Sequence, residues 1–187
     1  NLYDANRAVY EKLRYGVHVK PSVEEQFVTV WLIDWDQPEN NDLAVAEEVT
    51  VVGPNTKRPD VVLYVNGIAL GVLELKRSTV AVAEGIRQNL DNQKPEFIRP
   101  FFATVQLLMA GSSTEGLRYG VIETPEKYWL HWTEASDIED PLERGLYQLC
   151  RKERLLELIH DFTVFDAGIR KTCRHNQYFG VRAAQEH

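Results

Sequence analysis

Apolar side chains recur at three- and four-residue intervals over residues 2–15 (Leu2, Ala5, Val9, Leu13), which predicts a helix with Gly16 as its stop. The pattern then changes to β-branched and aromatic runs. Residues 27–35 (FVTVWLIDW) read as a strand, and QPENND at 37–42 as a polar loop. Residues 43–52 (LAVAEEVTVV) are ambiguous, with EVTVV the strand-like half; GPNTKRP at 53–59 is a turn-rich connection. Two apolar runs, DVVLYV (60–65) and IALGVLELK (68–76), flank Asn66-Gly67, the strongest short-range hairpin signal. Val82, Ile86 and Leu90 lie four apart and predict a helix over 80–93. Pro95 and Pro100 bracket a break; FFATVQLLMA (101–110) and RYGVIET (118–124) read as strands around a GSSTEG turn, and KYWLHWT (127–133) closes the region. The order predicts an α/β fold, a mixed central β-sheet flanked by helices.

The pattern shifts near residue 134. ASDIEDPLERG is acidic and loop-like, and Leu142, Leu146, Leu149, Leu156 and Ile159 then predict one long amphipathic helix or two short ones. Three regions follow from this: a domain over 1–134, a helical linker over 135–170, and a tail over 171–187. No internal repeat or low-complexity segment is present.

The 187 residues suffice for a core without disulfides or structural metal. No run approaches the roughly 20 apolar residues of a membrane span, and no signal-peptide pattern is visible, so a cytoplasmic protein with no membrane partner is expected. Cys150 and Cys173 lack metal-site spacing and read as reduced thiols. The net charge of −7 argues against strong independent DNA binding, which rests on phosphate neutralisation.

Candidate chemistry concentrates at 59–76. Asp60 opens one hairpin strand; Glu74 and Lys76 end the other, on one face with Leu75 on the opposite face. Charges in an apolar strand need partners. Two converging carboxylates suit a hard, oxygen-seeking ion such as Mg²⁺, and a nearby lysine stabilises charge on a reacting phosphate. Register sharpens this. A regular two-residue turn pairs Val65 with Ile68 and Asp60 with Leu73, pointing Asp60 and Glu74 to opposite faces. For both to take one metal, the hairpin needs a three-residue loop or a bulge, and one of these is predicted. Read from pattern alone, an edge strand carrying a solvated Glu–Lys pair explains these residues about as well.

Pro59-Asp60 with Glu74-Leu75-Lys76 resembles the signature of the PD-(D/E)xK nuclease superfamily. RPDVVLYVNGIALGVLELKRS (58–78), supported by LRYGV (13–17), TVWLIDW (29–35) and YGVIETPEKYWLHW (119–132), is similar to the N-terminal nuclease domain of the restriction (motor) subunit of type I restriction–modification enzymes. The resemblance spans most of residues 1–134 and implies a restriction-endonuclease-like core. It also implies Asp60 and Glu74 as Mg²⁺ ligands, the Leu75 carbonyl as a third, and Lys76 as the catalytic lysine. Gln88 matches the first position of a Gln-x-x-x-Tyr motif that contacts DNA or the nucleophilic water; Asn92 stands where the Tyr is expected. RHNQYFGVRAA (174–184) resembles the start of the first motor domain, with Gln177 in the adenine-reading role. The resemblance thus implies a fragment of a type I site-specific deoxyribonuclease. That enzyme hydrolyses duplex DNA non-specifically after ATP-driven translocation, binds ATP only in the full-length subunit, and works with modification and specificity subunits.

Arg58, Arg77 and Arg87, with Lys57 and Arg99, bracket the proposed site as candidate DNA contacts or as solvated charges. Glu11, Glu47 or Glu48 are candidates for an additional acidic group. His18, His131, His160, His175 and His187 are scattered, and the aromatic residues of 128–132 read as core. Two other readings stay open: the nuclease of another helicase-linked repair or recombination enzyme, and a degenerate nuclease fold that docks partner subunits.

Overall fold

The computed structural model describes residues 1–185; His187 and the end of the tail lie outside the described residues. Helix α1 (Leu2–Tyr15) forms where the apolar spacing predicts it, capped by the Asn1 side chain on the Asp4 amide and followed by Gly16. A two-stranded ribbon follows, β1 (Val17–Val19) with β2 (Val28–Val30). The central sheet has the order β3-β4-β5-β6-β7, from β3 (Leu43–Glu47), β4 (Val61–Val65), β5 (Ile68–Leu75), β6 (Leu107–Ser112) and β7 (Gly116–Gly120). Only β5 and β6 pair in parallel, and α2 (Val82–Asn92) with a short 3-10 turn at Arg99–Ala103 makes the crossover between them. The fold is therefore α/β with a mixed sheet flanked by helices.

Two apolar clusters hold the sheet. One packs Val72, Leu108 and Ala110 against Val82 and Ile86 of α2 and against Phe102. The other packs Leu73, Met109, Leu117 and Tyr119 against α1 and the C-terminal elements. Those elements are α3 (Pro141–Leu149), α4 (Lys152–Asp161), the hairpin β8 (Thr163–Asp166) and β9 (Ile169–Thr172), and α5 (His175–Gln185). The 135–170 region thus holds two short helices, the second of the predicted alternatives, together with most of a hairpin. Leu149, Leu156, Cys173 and Tyr178 share the core of the sheet, and the Tyr119 hydroxyl donates to the Cys173 carbonyl at 2.9 Å.

Several strand boundaries differ from the sequence reading. In 27–35 only Val28–Val30 pairs, because the chain then turns inward. Ile33 is buried and the Trp35 indole donates to the Leu13 carbonyl at 3.0 Å. The strand in 43–52 is its first half, not EVTVV. Glu48 takes a positive φ of 51° that ends the ladder, leaving Val51 one isolated bridge to Lys57. In 101–110 the first residues complete the 3-10 turn Arg99–Ala103, and the strand starts at Leu107. The strand predicted at 118–124 ends at Gly120.

Burial pushes the thiols of Cys150 and Cys173 up to about 12. Because the thiolate is the reactive species, both should resist alkylation by iodoacetamide at pH 8 in the folded protein and react promptly in denaturant. Rapid labelling of Cys173 in the folded state would contradict its burial beside Tyr119.

Candidate active site

The β4–β5 hairpin turns on two residues with positive φ, Asn66 at 50° and Gly67 at 76°. This is the twist-matched turn for which Asn-Gly is suited. Val65 pairs with Ile68 and Tyr64 with Ala69. The register then shifts, so that Leu63 pairs with Gly71, Val62 with Val72 and Val61 with Leu73. Leu70 is the extra residue, a β-bulge, and its side chain is wholly buried. The shift places Asp60 opposite Glu74 rather than Leu73. Of the two predicted alternatives, a three-residue loop or a bulge, the bulge is present, and it brings the two carboxylates to one end of the hairpin.

Each side chain at that end is held. One Asp60 oxygen, Oδ2, accepts the Leu75 amide at 2.8 Å, and Lys76 Nζ lies 4.0 Å from the same oxygen. Lys76 donates to Gln88 Oε1 at 2.6 Å, and Gln88 Nε2 donates to Glu74 Oε2 at 2.6 Å, so one amide bridges lysine and carboxylate. Asn92, one helical turn beyond Gln88, places Nδ2 3.5 Å from Glu74 Oε1. Glu74 is fully buried, and its carboxyl is pushed up to about 8, first by burial and then by the charge of Asp60, against a smaller opposing pull from Lys76.

Helix α2 reaches these groups because Gly85 lets it press on β5. A Cβ there would stand 3.1 Å from the Ala110 Cβ and 3.4 Å from the Glu74 carbonyl oxygen. The role of Gly85 escaped the sequence reading. Its signal is the spacing of Gly85, Gln88 and Asn92 along one stripe of the helix.

The structure brings together Asp60, Glu74, Leu75, Lys76 and Gln88. Arg87 is engaged by Glu84 and Glu126, and Arg58 by Glu48. Arg77 makes no ion pair among the described residues. Gln177 sits in the first turn of α5, where its Oε1 accepts the Arg174 amide at 2.8 Å as a helix cap.

Among the described residues no group of three or more His, Cys, Asp or Glu side chains converges to hold a metal. What converges is an all-oxygen set of two carboxylates beside a strand carbonyl. That set fits a hard divalent ion, which keeps several of its own waters. No helix among the described residues is long and apolar enough to cross a membrane.

The mixed five-stranded sheet thus carries a carboxylate pair, a lysine and a bridging glutamine at one hairpin end. A family model described as the type I restriction enzyme R protein N terminus matches residues 1–127, and the chain belongs to that family. Among curated relatives, the type I restriction enzyme HindI endonuclease subunit of Haemophilus influenzae is 26% identical, over 98% of this chain and 19% of its own length. The type I restriction enzyme EcoprrI endonuclease subunit of Escherichia coli is 25% identical, over 74% of this chain and 47% of its own length. The chain thus spans about a fifth and about half of these two relatives.

Proposed function

We propose that this chain is the Mg²⁺-dependent endonuclease domain of a type I restriction enzyme, hydrolysing phosphodiester bonds of duplex DNA. The observation that carries the reading is the bulged register that sets Asp60 opposite Glu74, with Lys76 beside Asp60. Asp60, Glu74 and the Leu75 carbonyl would hold the ion, which when bound supplies a water activated for attack and positive charge for the phosphate oxygens.

The chain's own groups do the positioning. The Leu75 amide fixes one oxygen of Asp60 and leaves the other to a ligand. Gln88 and Asn92 hold the Glu74 carboxylate from the helix side. The Lys76 ammonium, tethered by Gln88, stands ready to hydrogen-bond a phosphate oxygen or orient the attacking water. In the whole enzyme the domain would cut without sequence preference after ATP-driven translocation by the rest of the subunit. It would work in the cytoplasm, with modification and specificity subunits. The names of the relatives as endonuclease subunits support this placement. Delivery of DNA by a motor also accounts for a nuclease with a net charge of −7.

The test is Asp60→Ala in the full-length subunit assembled with its partners. Cleavage of duplex DNA should fall by about 10²–10³-fold, and calorimetric Mn²⁺ binding should be lost. Unchanged restriction together with no divalent binding by the parent would instead assign the fold to subunit docking.

A further inference from the structure

Helix α1 hands the chain to a ribbon that lies apart from the central sheet. Among the described residues, β1 and β2 pair only with each other, and every side chain of β2 is exposed. Phe27, Val28, Val30 and Trp31 thus put consecutive large apolar groups into solvent, with Trp31 60% exposed. Contiguous exposure of this kind marks an interaction surface, whereas single apolar residues at a surface do not.

The ribbon leads into a groove. Trp31, Ile33, Trp35 and the loop over 34–41 wall a hollow of about 560 Å³ against Arg14 and His160. A second hollow of about 300 Å³ shares Trp35, Asp36 and His160 with the first and runs along α4, where Glu153, Glu157 and His160 lie on one helical stripe. The shape is preformed. The Trp35 indole is fixed by its bond to the Leu13 carbonyl, and its ring lies against that of His160 with centroids 4.8 Å apart. Asn41 ties the loop closed through the Asp34 amide at 2.9 Å and the Asp34 carbonyl at 2.8 Å. Asn66, in the hairpin turn, donates to Asn41 Oδ1 at 2.8 Å.

What the groove offers a ligand follows from which groups are already engaged. The amides of Asn41 and Asn66 are used within the loop. Arg14 donates to the Tyr10 hydroxyl at 2.8 Å and to the His160 carbonyl. Arg14 and His160 both face Asp161, at 3.9 and 2.8 Å, and Glu157 takes Tyr178 and Arg182. Asp36 and Glu153 have no side-chain hydrogen bond or ion pair among the described residues, and the Trp31 indole N–H has no partner there either. Asp34, Asp36, Glu153, Glu157 and Asp161 set five carboxylates against the single guanidinium of Arg14 along the two hollows. Such walls repel phosphate. They suit a planar cation, because a guanidinium can stack on an indole and also donate paired hydrogen bonds to a carboxylate.

We propose that this groove docks an arginine-bearing segment of a partner protein, with guanidinium groups stacked on Trp31 and paired with Asp36 and Glu153, and with the ribbon supplying apolar contact. The proposal does not rest on the nuclease reading. Asn66 is at the turn of the β4–β5 hairpin and Asp60 at its open end, six residues or about 20 Å along the strand. A docked partner therefore leaves the carboxylate site uncovered.

The test titrates the 187-residue chain into fluorescein-labelled hexa-arginine at physiological ionic strength, where long-range attraction is screened, and follows anisotropy. Trp31→Ala and Asp36→Asn should each weaken binding about three- to ten-fold. Glu143→Gln, which removes the same charge from α3 outside the groove, should bind as the parent does. Hexalysine should bind several-fold more weakly, since it lacks the planar fork. Trp31 and Asp36 are exposed, so melts of both variants should match the parent. In an ¹⁵N-labelled chain the peptide should shift the indole signal of Trp31 and leave those of the buried Trp129 and Trp132 in place. No binding by the parent, an unmoved Trp31 signal, or equal losses for Glu143→Gln and Asp36→Asn overturns the proposal. Hexaglutamate shifting the Trp31 signal would overturn it too. Sedimentation of the parent as a dimer that Trp31→Ala dissociates would make a second copy the occupant, with the same consequence.

Discussion

Glu74→Gln should make the chain more stable in metal-free buffer at pH 9 and, on the proposed nuclease reading, strongly reduce cleavage by the assembled enzyme. The two effects have one origin. Burial and the facing Asp60 hold the Glu74 carboxyl at about 8, above its ordinary value of 4.5. The folded protein therefore retains a proton there that the unfolded chain releases. The stability this gives is fully present below about pH 4.5 and is lost as pH rises through 8, after which a buried carboxylate remains. Gln keeps the shape without that charge and can still bond Gln88. The variant should match the parent near pH 4 and exceed it by up to about 4 kcal/mol at pH 9. Adding Mg²⁺ should narrow the gap by stabilising the parent alone, since ligand binding to the folded state adds to its stability. On the proposed reading, in which Glu74 is a metal ligand, cleavage should fall by about 10²–10³-fold. Melting curves against pH, with and without Mg²⁺, check the first part. A variant less stable than the parent at pH 9 would show that Glu74 is not desolvated as described.

The second large effect is expected far from the site. Asn6 is fully buried in α1, and its Nδ2 donates to the carbonyls of Phe102, Ala103 and Val105 at 3.0, 3.1 and 2.8 Å. Its Oδ1 accepts Arg170 of β9 at 2.8 Å, and Arg170 also reaches the Val105 carbonyl and Gln106 Oε1. Arg170 is itself buried, and burial lowers its guanidinium to about 9. Asn6→Ala strips three carbonyls and a buried cation of a partner at once, and should cost about 3–5 kcal/mol in urea unfolding. Arg170→Met combined with Asn6→Leu should recover part of that loss, because removing both polar partners is cheaper than removing one. A cost below 1 kcal/mol for Asn6→Ala would mean that water replaces these bonds.

The sequence exposed what depends on near neighbours. The spacing of Leu2, Val9 and Leu13 marked α1, Val82, Ile86 and Leu90 marked α2, and Asn66-Gly67 marked the hairpin turn. The need for an odd residue was legible by counting once the two carboxylates are required to meet; whether it lay in the turn or in a bulge was not. That the extra residue is Leu70 was not legible, because nothing local distinguishes it from Ala69 or Gly71. The strand ends at Glu47 and Gly120 depend on backbone turns that apolar content does not register. The β8–β9 hairpin hides behind an Ala167-Gly168 turn between short strands. The tie between Asn6 and Arg170 joins residues 164 apart and follows from packing alone.

Leu70 gives the hairpin an arithmetic of its own. Losing one codon there would leave Pro59-Asp60, Glu74-Leu75-Lys76 and the Asn-Gly turn all spelled as before, yet rotate one carboxylate to the far side of the sheet. Such a chain would keep every residue of the signature and lose the facing of Asp60 and Glu74 on which the proposed nuclease site rests. The spacing between turn and acidic residues is as much a part of the signature as the letters themselves.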